Sequence, residues 1–368
     1  MRSGTKHNLL LSIFVCLSAV LLISGCNLSS RTNGQGCSPC GPHSIIFSVD
    51  GTAYLLGMAQ LLAINPQGNI IANKMIPNML GWYSDMIDIS NDGNIWEVTN
   101  SSGNSSTMLT IYNSQDNLVT QITTDIPMLT SVKVSASTDI GWVGGQNYTS
   151  TGIITPELEA LNISGQTLTS YTLPPPSISS FNVLVYVKLA ISTINGTIWA
   201  WSPGYLSGYS FTGLVYGPYP INIVESFEPY QIDCGGINEK WIIVNPVTND
   251  IWMGNPATTT VLALLPDGTV QFQEDLDIYA STMAISPKTG NVWIWSNNKI
   301  DVLDPYGKVI KQLTIKNLNC ITYIAISPLD DTVWVGSVPN SNKNIFILDE
   351  NGDIINSIYV PVKCELCS

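Results

Sequence analysis

Residues that could move protons near neutral pH are scarce in this sequence. The 368 residues include only two histidines, His7 and His43, and both precede residue 45. Histidine is the commonest general base near pH 7, and a Ser-His-Asp arrangement requires one. The sequence therefore predicts no catalytic residue and no cofactor, and it favours a binding protein over a hydrolase.

The eight cysteines offer a second kind of chemistry. Cys37 and Cys40 form one Cys-x-x-Cys pair, and Cys364 and Cys367 form another at the opposite end of the chain. Such pairs can form disulfides, hold a structural zinc ion or exchange electrons. Neither pair lies in a thioredoxin-like βαβ pattern, which disfavours redox exchange, and neither is followed by histidine, which excludes covalent haem attachment.

The first 26 residues have the pattern of an export signal. Arg2 and Lys6 precede an apolar run over residues 9–23, which is short for a membrane-spanning helix. The run ends in Ile-Ser-Gly-Cys, which resembles the lipobox of bacterial lipoproteins. That resemblance implies cleavage before Cys26 and acylation of its thiol. An uncleaved anchor and plain secretion are the alternatives, and all three place the protein outside the cytoplasm, where disulfides persist.

The composition sets further limits on partners. Acidic residues number 27 against 14 basic ones, a net charge of −13. Because no basic stripe is present to neutralise phosphates, the sequence argues against a nucleic-acid partner. We expect a signal peptide over residues 1–25, a flexible tether over 26–44, a folded domain over 45–361 and a Cys-containing tail over 362–368. The lipid on Cys26, not the acidic domain, would hold the cell membrane or outer membrane.

A repeat of about 41 residues organises the predicted domain. Residues 324–334, Ile-Ala-Ile-Ser-Pro-Leu-Asp-Asp-Thr-Val-Trp, parallel residues 283–293, Met-Ala-Ile-Ser-Pro-Lys-Thr-Gly-Asn-Val-Trp. Seven copies share one phase, with longer spacings after the third and fourth. The aromatic residues that mark the phase are Tyr54, Trp96, Trp142, Trp199, Trp252, Trp293 and Trp334.

Each repeat also has a second half, such as Val-Leu-Asp-Pro-Tyr-Gly-Lys-Val-Ile over residues 302–310. Short runs rich in Ile, Val and Trp, broken by Asn-Gly, Asp-Gly or Pro-x-Gly, predict strands joined by hairpins. The Ser or Asn that ends each first strand can hydrogen-bond to the turn backbone. Four antiparallel strands about every 40 residues predict an all-β fold, a seven-bladed β-propeller of four-stranded antiparallel blades.

A ring explains how such sheets bury both faces. One four-stranded sheet has two apolar faces, and stacking around a closed ring covers them all. The aromatic residue of each repeat is expected to pack between neighbouring blades. An open solenoid or two sandwiches are less consistent with seven copies in one phase. In blade four, whose pattern is weakest, we place the outer strands near residues 214–216 and 221–224.

The repeat resembles the NHL, streptogramin-lyase and two-component-regulator propellers over about residues 45–360. The shared features are the small residue at the strand end, the Gly-containing turn and the aromatic residue. Streptogramin lyases use a histidine base and Mg²⁺, and no histidine lies within the blades here. Gluconolactonase-like propellers hold a divalent cation with Glu, Asn and Asp, for which Glu97 and Asp88 are the candidates here, although a hairpin Asp is more often a turn former.

Ring closure gives the terminal cysteines a structural role. Cys37 and Cys40 precede blade one, and Cys364 and Cys367 follow blade seven, so a ring makes them neighbours. We expect two disulfides across this seam, worth about 4 to 5 kcal/mol for a loop longer than about 100 residues; a zinc site is the alternative. Cys234 and Cys320 form a weaker disulfide candidate, since a blade separates them.

The segment from 202 to 239 is rich in Gly, Tyr and Pro. Its tyrosines offer large contact areas at low entropic cost, which suits peptides or glycans. Packing over the edge of the blade is the alternative role. The candidate partner-binding residues are Tyr205, Tyr209, Tyr216, Tyr219 and Tyr230.

Two functions fit these observations. The first is a non-catalytic, extracytoplasmic lipoprotein whose propeller binds a protein, peptide or glycan. The second is a metal-dependent lyase or lactonase of the streptogramin-lyase or gluconolactonase type.

Overall fold

The described residues form short antiparallel strands joined by turns and short loops. In the computed structural model, the residues described are 44–57, 60–75, 86–100, 107–115, 117–136, 138–148, 154–176, 187–221, 241–254, 259–276, 282–296, 299–315, 321–341 and 343–360. They form seven four-stranded sheets, each from consecutive strands of the chain. This confirms the predicted seven-bladed β-propeller.

The strands follow one another in sets of four. The blades, in chain order, are: β1 (Ser44–Phe47), β2 (Ala53–Gly57), β3 (Gln60–Ile64), β4 (Ile70–Met75); β5 (Ile87–Ile89), β6 (Ile95–Asn100), β7 (Thr107–Tyr112), β8 (Leu118–Ile122); β9 (Met128–Val134), β10 (Gly141–Tyr148), β11 (Ile154–Leu161), β12 (Thr167–Thr172); β13 (Lys188–Ile191), β14 (Ile198–Ser202), β15 (Tyr205–Ser210), β16 (Gly213–Pro220); β17 (Trp241–Val244), β18 (Ile251–Gly254), β19 (Thr260–Leu264), β20 (Val270–Asp275); β21 (Thr282–Ile285), β22 (Val292–Ser296), β23 (Lys299–Leu303), β24 (Val309–Thr314); β25 (Ile321–Ile326), β26 (Val333–Ser341), β27 (Lys343–Leu348), β28 (Ile354–Ile358).

The first strands of the blades surround the centre of the ring. Each lies beside the first strand of the next blade, and β25 lies beside β1, so the ring is closed. The fourth strands form the periphery, where one edge of each sheet has no strand partner. No described strand from one end of the chain completes a blade at the other end, so side-chain packing joins blades seven and one.

The repeated aromatic residues pack between blades, as the sequence predicts. Each is the second residue of its blade's second strand and faces the next blade. Trp334 of blade seven, for example, belongs to the same buried cluster as Ile45 and Leu55 of blade one, and its ring lies 5.5 Å from that of Phe47. In blade three, a Cβ on Gly141 would lie 2.3 Å from the Trp96 ring, so glycine leaves room for that indole.

The Ser or Asn that ends each first strand shapes the following turn. The Ser286 hydroxyl accepts a hydrogen bond from the Thr289 amide at 3.0 Å, and Asn245 Oδ1 accepts one from the Val247 amide at 2.9 Å. The same turns use a left-handed residue, Gly290 in blade six and Asn249 in blade five, with φ of 74° and 67°. Gly and Asn tolerate this conformation, which explains their recurrence there.

Blade four differs from the sequence expectation. Its outer strands are β15 and β16, which end at Pro220, whereas we placed them near residues 214–216 and 221–224. The error arose because the Gly-Tyr-Pro composition of residues 202–220 is typical of a loop. The longer spacing is instead accounted for by residues 222–240, which lie outside the described residues.

Candidate binding site in the central channel

An apolar cavity opens in the central channel, on one side of the ring. It has a volume of about 310 Å³ and is lined by the first strands of blades five, six, seven and one. We call it the channel pocket, defined by residues 45–47, Ile243, residues 283–285 with Pro287, and residues 323–326 with Pro328. All these side chains are uncharged, and polar atoms share the pocket surface, so the pocket can take an apolar group carried by a backbone that forms hydrogen bonds.

One position of the repeat contributes an apolar residue to the pocket in each of the four blades that line it. Residues two positions before the strand-ending Ser or Asn are Ile46, Ile243, Ala284 and Ala325 in the pocket blades. Blades two and three have Asp88 and Lys133 at that position. Blade four has Ala190 at the same position but does not line the pocket, so an apolar residue there accompanies the pocket without fixing its place.

Hydrogen bonds between turns hold the pocket blades together at the end of the channel marked by Pro287 and Pro328. The Asn245 amide of blade five donates to the Gly290 carbonyl of blade six at 2.9 Å. The Ser286 hydroxyl of blade six lies 2.8 Å from both carboxylate oxygens of Asp331 in blade seven. These bonds link consecutive turns and fix the spacing of the strands that line the pocket.

The two carboxylates proposed as cation ligands do not come together. Asp88 lies opposite Trp96 in the blade-two sheet and accepts a hydrogen bond from the Val134 amide of blade three at 2.7 Å. Glu97 lies opposite Ile87 and therefore projects from the other face, towards blade one. One ion cannot bind both, and no described group of His, Cys, Asp or Glu residues has a geometry that could hold a metal.

Buried carboxylates occur instead between blades. The Glu97 side chain is 0% exposed, and burial raises its pKa to about 8, although the charge of Lys74 opposes the shift. Glu159 of blade three is also buried, and desolvation raises its pKa despite a hydrogen bond from Thr167. Neither residue belongs to the channel pocket.

The predicted tyrosines are dispersed over blade four. Tyr209 is buried and stacks on Tyr171 at 5.1 Å between ring centres, and Tyr216 stacks on Trp199 at 5.4 Å. The Tyr219 hydroxyl donates to the Pro266 carbonyl of blade five at 3.2 Å. Tyr205 is half-buried on β15. These contacts give the first three a packing role, and a role in partner binding stays a prediction.

Several predicted residues lie outside the described part of the chain. They are Cys26, Cys37, Cys40, Cys234, Cys320, Cys364, Cys367 and Tyr230. Lipidation and disulfide pairing therefore stay predictions. Within the described residues, no helix is long and apolar enough to span a membrane.

Sequence reasoning missed the channel pocket, although a signal was present. Two residues before the strand-ending Ser or Asn, blades two and three have Asp and Lys, whereas the other blades have Ile or Ala. Each strand alone predicts only core packing. The pocket emerges from four distant segments that the ring brings together.

Solved structures confirm the fold. The chain is similar to virginiamycin B lyase from Staphylococcus aureus, with a TM-score of 0.54 and 14% identity over 81% of this chain and 92% of that one. For a catalytically inactive variant of that lyase with quinupristin, the TM-score is 0.53 and the identity 15%, over 84% of this chain and 95% of that one. For hydrazine synthase from Kuenenia stuttgartiensis, the TM-score is 0.61 and the identity 11%, over 89% of this chain and 100% of that one.

These identities are too low to carry an activity across, and they show the propeller fold alone. No protein-family model and no curated protein sequence matches the chain.

Proposed function

We propose that the protein is an extracytoplasmic lipoprotein whose propeller binds a protein or peptide by accepting an apolar side chain in the channel pocket. The uncharged lining of that pocket carries the proposal. Specific recognition of a sugar needs convergent polar groups, so the lining favours a peptide over a glycan. Full burial of an apolar side chain there would gain about 1.5 to 3 kcal/mol before the entropic cost of association.

A matched pair of variants tests the pocket. Ile285 lines it, and Ile191 occupies the same repeat position in blade four, outside the lining; both are half-buried. Peptides would be selected on an array with the wild-type protein. We expect Ile285→Lys to weaken binding of the selected peptides at least tenfold and Ile191→Lys to leave it within twofold. Equal effects of the two variants, or an array without selected peptides, would contradict the proposal.

The membrane attachment has its own test. We propose that Cys26 carries the lipid and that the segment after it tethers the propeller. The protein should partition into the detergent phase of Triton X-114, and Cys26→Ser should move it to the aqueous phase. Partition of both forms into detergent would instead support an uncleaved anchor.

A lyase or lactonase activity is the second candidate, and similarity to the staphylococcal lyase favours it. The absence of histidine from residues 45–361 weighs against it, because the likeness of the repeat to streptogramin lyases implies a histidine base. Thermal melting with Ca²⁺, Mg²⁺ and a chelator, together with incubation with quinupristin, separates the two functions. We expect no shift in the melting temperature and no turnover. A cation-dependent rise together with turnover would replace the binding proposal.

A further inference from the structure

The interface between blades one and two contains a carboxylic acid where the other blades have apolar residues. Glu97 directly follows the repeated aromatic residue of blade two. The equivalent residues in the other blades are Leu55, Val143, Ala200, Met253, Ile294 and Val335. Since the fold tolerates an apolar residue here in six blades, packing alone does not call for an acid.

The acid is enclosed without hydrogen bonds. Neither Glu97 Oε1 nor Oε2 has a partner within the described residues, and the side chain is 0% exposed. The Ser44 hydroxyl of blade one is also buried and unpartnered, and it lies on the same interface because Ser44 is opposite Leu56. A buried polar group without a hydrogen bond disfavours the closed interface.

Three titratable groups of the described strands lie at the same interface as Glu97. Lys74 projects from β4 of blade one, and its Nζ lies 3.3 Å from the centre of the Tyr112 ring of blade two. Tyr54 of β2 packs against the same apolar cluster as Tyr112. Lys74 is the only cation among the three, and its charge favours the ionised form of Glu97 less than burial disfavours it.

The apolar cluster that the described residues form at this interface is small. Its described cluster contains four fully buried residues: Leu56, Leu61, Ile87 and Ile95. The cluster between blades six and seven contains twelve. Apolar burial is the main term that holds blades together, and the buried acid opposes it at this interface.

We propose that the interface between blades one and two is a proton-linked joint, which stays closed while Glu97 is protonated and opens with release of that proton. Opening exposes Glu97 to water, where its pKa returns to about 4.5, whereas closure raises the pKa to about 8. Between pH 4.5 and about pH 8, the open form therefore holds fewer protons than the closed form. The opening equilibrium therefore increases with pH by up to about tenfold per unit and levels off above pH 8.

Hydrogen exchange measured by mass spectrometry tests the joint directly. Wild type and Glu97→Gln are compared at each of pH 5, 6, 7 and 8, so that the intrinsic pH dependence of amide exchange cancels. We expect similar protection at pH 5. At pH 8, the variant should be at least tenfold better protected over residues 44–57 and 87–100, and unchanged over 241–254 in blade five.

Three controls keep the test decisive. Glu274→Gln, an exposed acid on β20, should behave as wild type at every pH. Glu97→Leu should reproduce the pH-independent protection of Glu97→Gln, as a second variant with the residue type of the other blades. Lys74→Met should move the plateau to higher pH, because it removes the charge that favours ionisation. The proposal would be overturned if the ratio of exchange rates between wild type and Glu97→Gln did not change with pH. Equal changes in the exchange rates of blade five would also overturn it.

Discussion

Two blade interfaces with the same repeat differ in the residues they bury: the one between blades one and two, and the one between blades six and seven. Between blades six and seven, Trp293 and Trp295 lie in a large apolar cluster, and Ser286 bonds to Asp331 across the turns. Between blades one and two, the half-buried Tyr54 replaces Trp, and Glu97 occupies an apolar position. The comparison shows that a symmetric fold need not distribute its stability evenly around the ring.

The channel pocket lies among well-packed blades. The pocket lies against blades five, six, seven and one, where clusters of buried residues join neighbouring blades. A binding site needs walls that hold their geometry, and well-packed strands provide them. The interface between blades one and two lies at the edge of this region.

The largest expected effect concerns the aromatic residues of the two interfaces. Trp293→Ala should lower the free energy of unfolding by about 3 to 5 kcal/mol, because it removes a buried indole and leaves a cavity. Tyr54→Ala should cost less, about 2 kcal/mol, because Tyr54 is only partly buried and has fewer buried neighbours. Urea denaturation measures both values. A larger loss for Tyr54→Ala would contradict the ranking of the interfaces.

The second effect is a gain in stability. The pKa of Glu97 is raised in the folded state, so stability falls as pH rises from about 4.5 to about 8. Glu97→Gln should therefore increase the free energy of unfolding at pH 7 by up to about 3 kcal/mol and leave it nearly unchanged at pH 4.5. Urea denaturation at the two pH values measures the difference. A gain of equal size at both would show that packing, and not ionisation, is responsible.

The smallest effect distinguishes turns that link blades from turns that bond only internally. Ser286→Ala removes the bonds to Asp331 and to the Thr289 amide and should cost about 1 to 2 kcal/mol. Ser48 of blade one bonds within its own turn, to Asp50 and Thr52, so Ser48→Ala should cost about half as much. Thermal melting of the two variants checks the order, and a reversed order would remove the argument for cross-turn bonding.

The sequence was sufficient for the architecture because the fold repeats its signals. The aromatic positions, the strand-ending Ser or Asn and the Gly-containing turns each recur, so an error in one blade is corrected by the others. Blade four shows the limit. Tyr205, Gly208 and Tyr216 lie on its outer strands, but their residue types are typical of loops, and tertiary packing overrides that preference.

The candidate site could not be predicted in the same way. Ile243, Ile285 and Tyr323 look like ordinary strand residues, and the pocket exists only because the ring places them together. From the sequence alone, Glu97 is only a candidate cation ligand, together with Asp88. The alternation of side chains along paired strands separates the two onto opposite faces of the sheet.

Photo-crosslinking most directly tests whether the channel pocket is the binding site. A peptide selected by the wild-type protein would carry a photoreactive leucine analogue at its apolar position, and the adducts would be mapped by mass spectrometry. The account predicts adducts within Thr282–Ile285 and Ile321–Ile326, the first strands of blades six and seven. Adducts confined to Tyr205–Ser210 and Gly213–Pro220 of blade four would contradict it and favour the tyrosine surface.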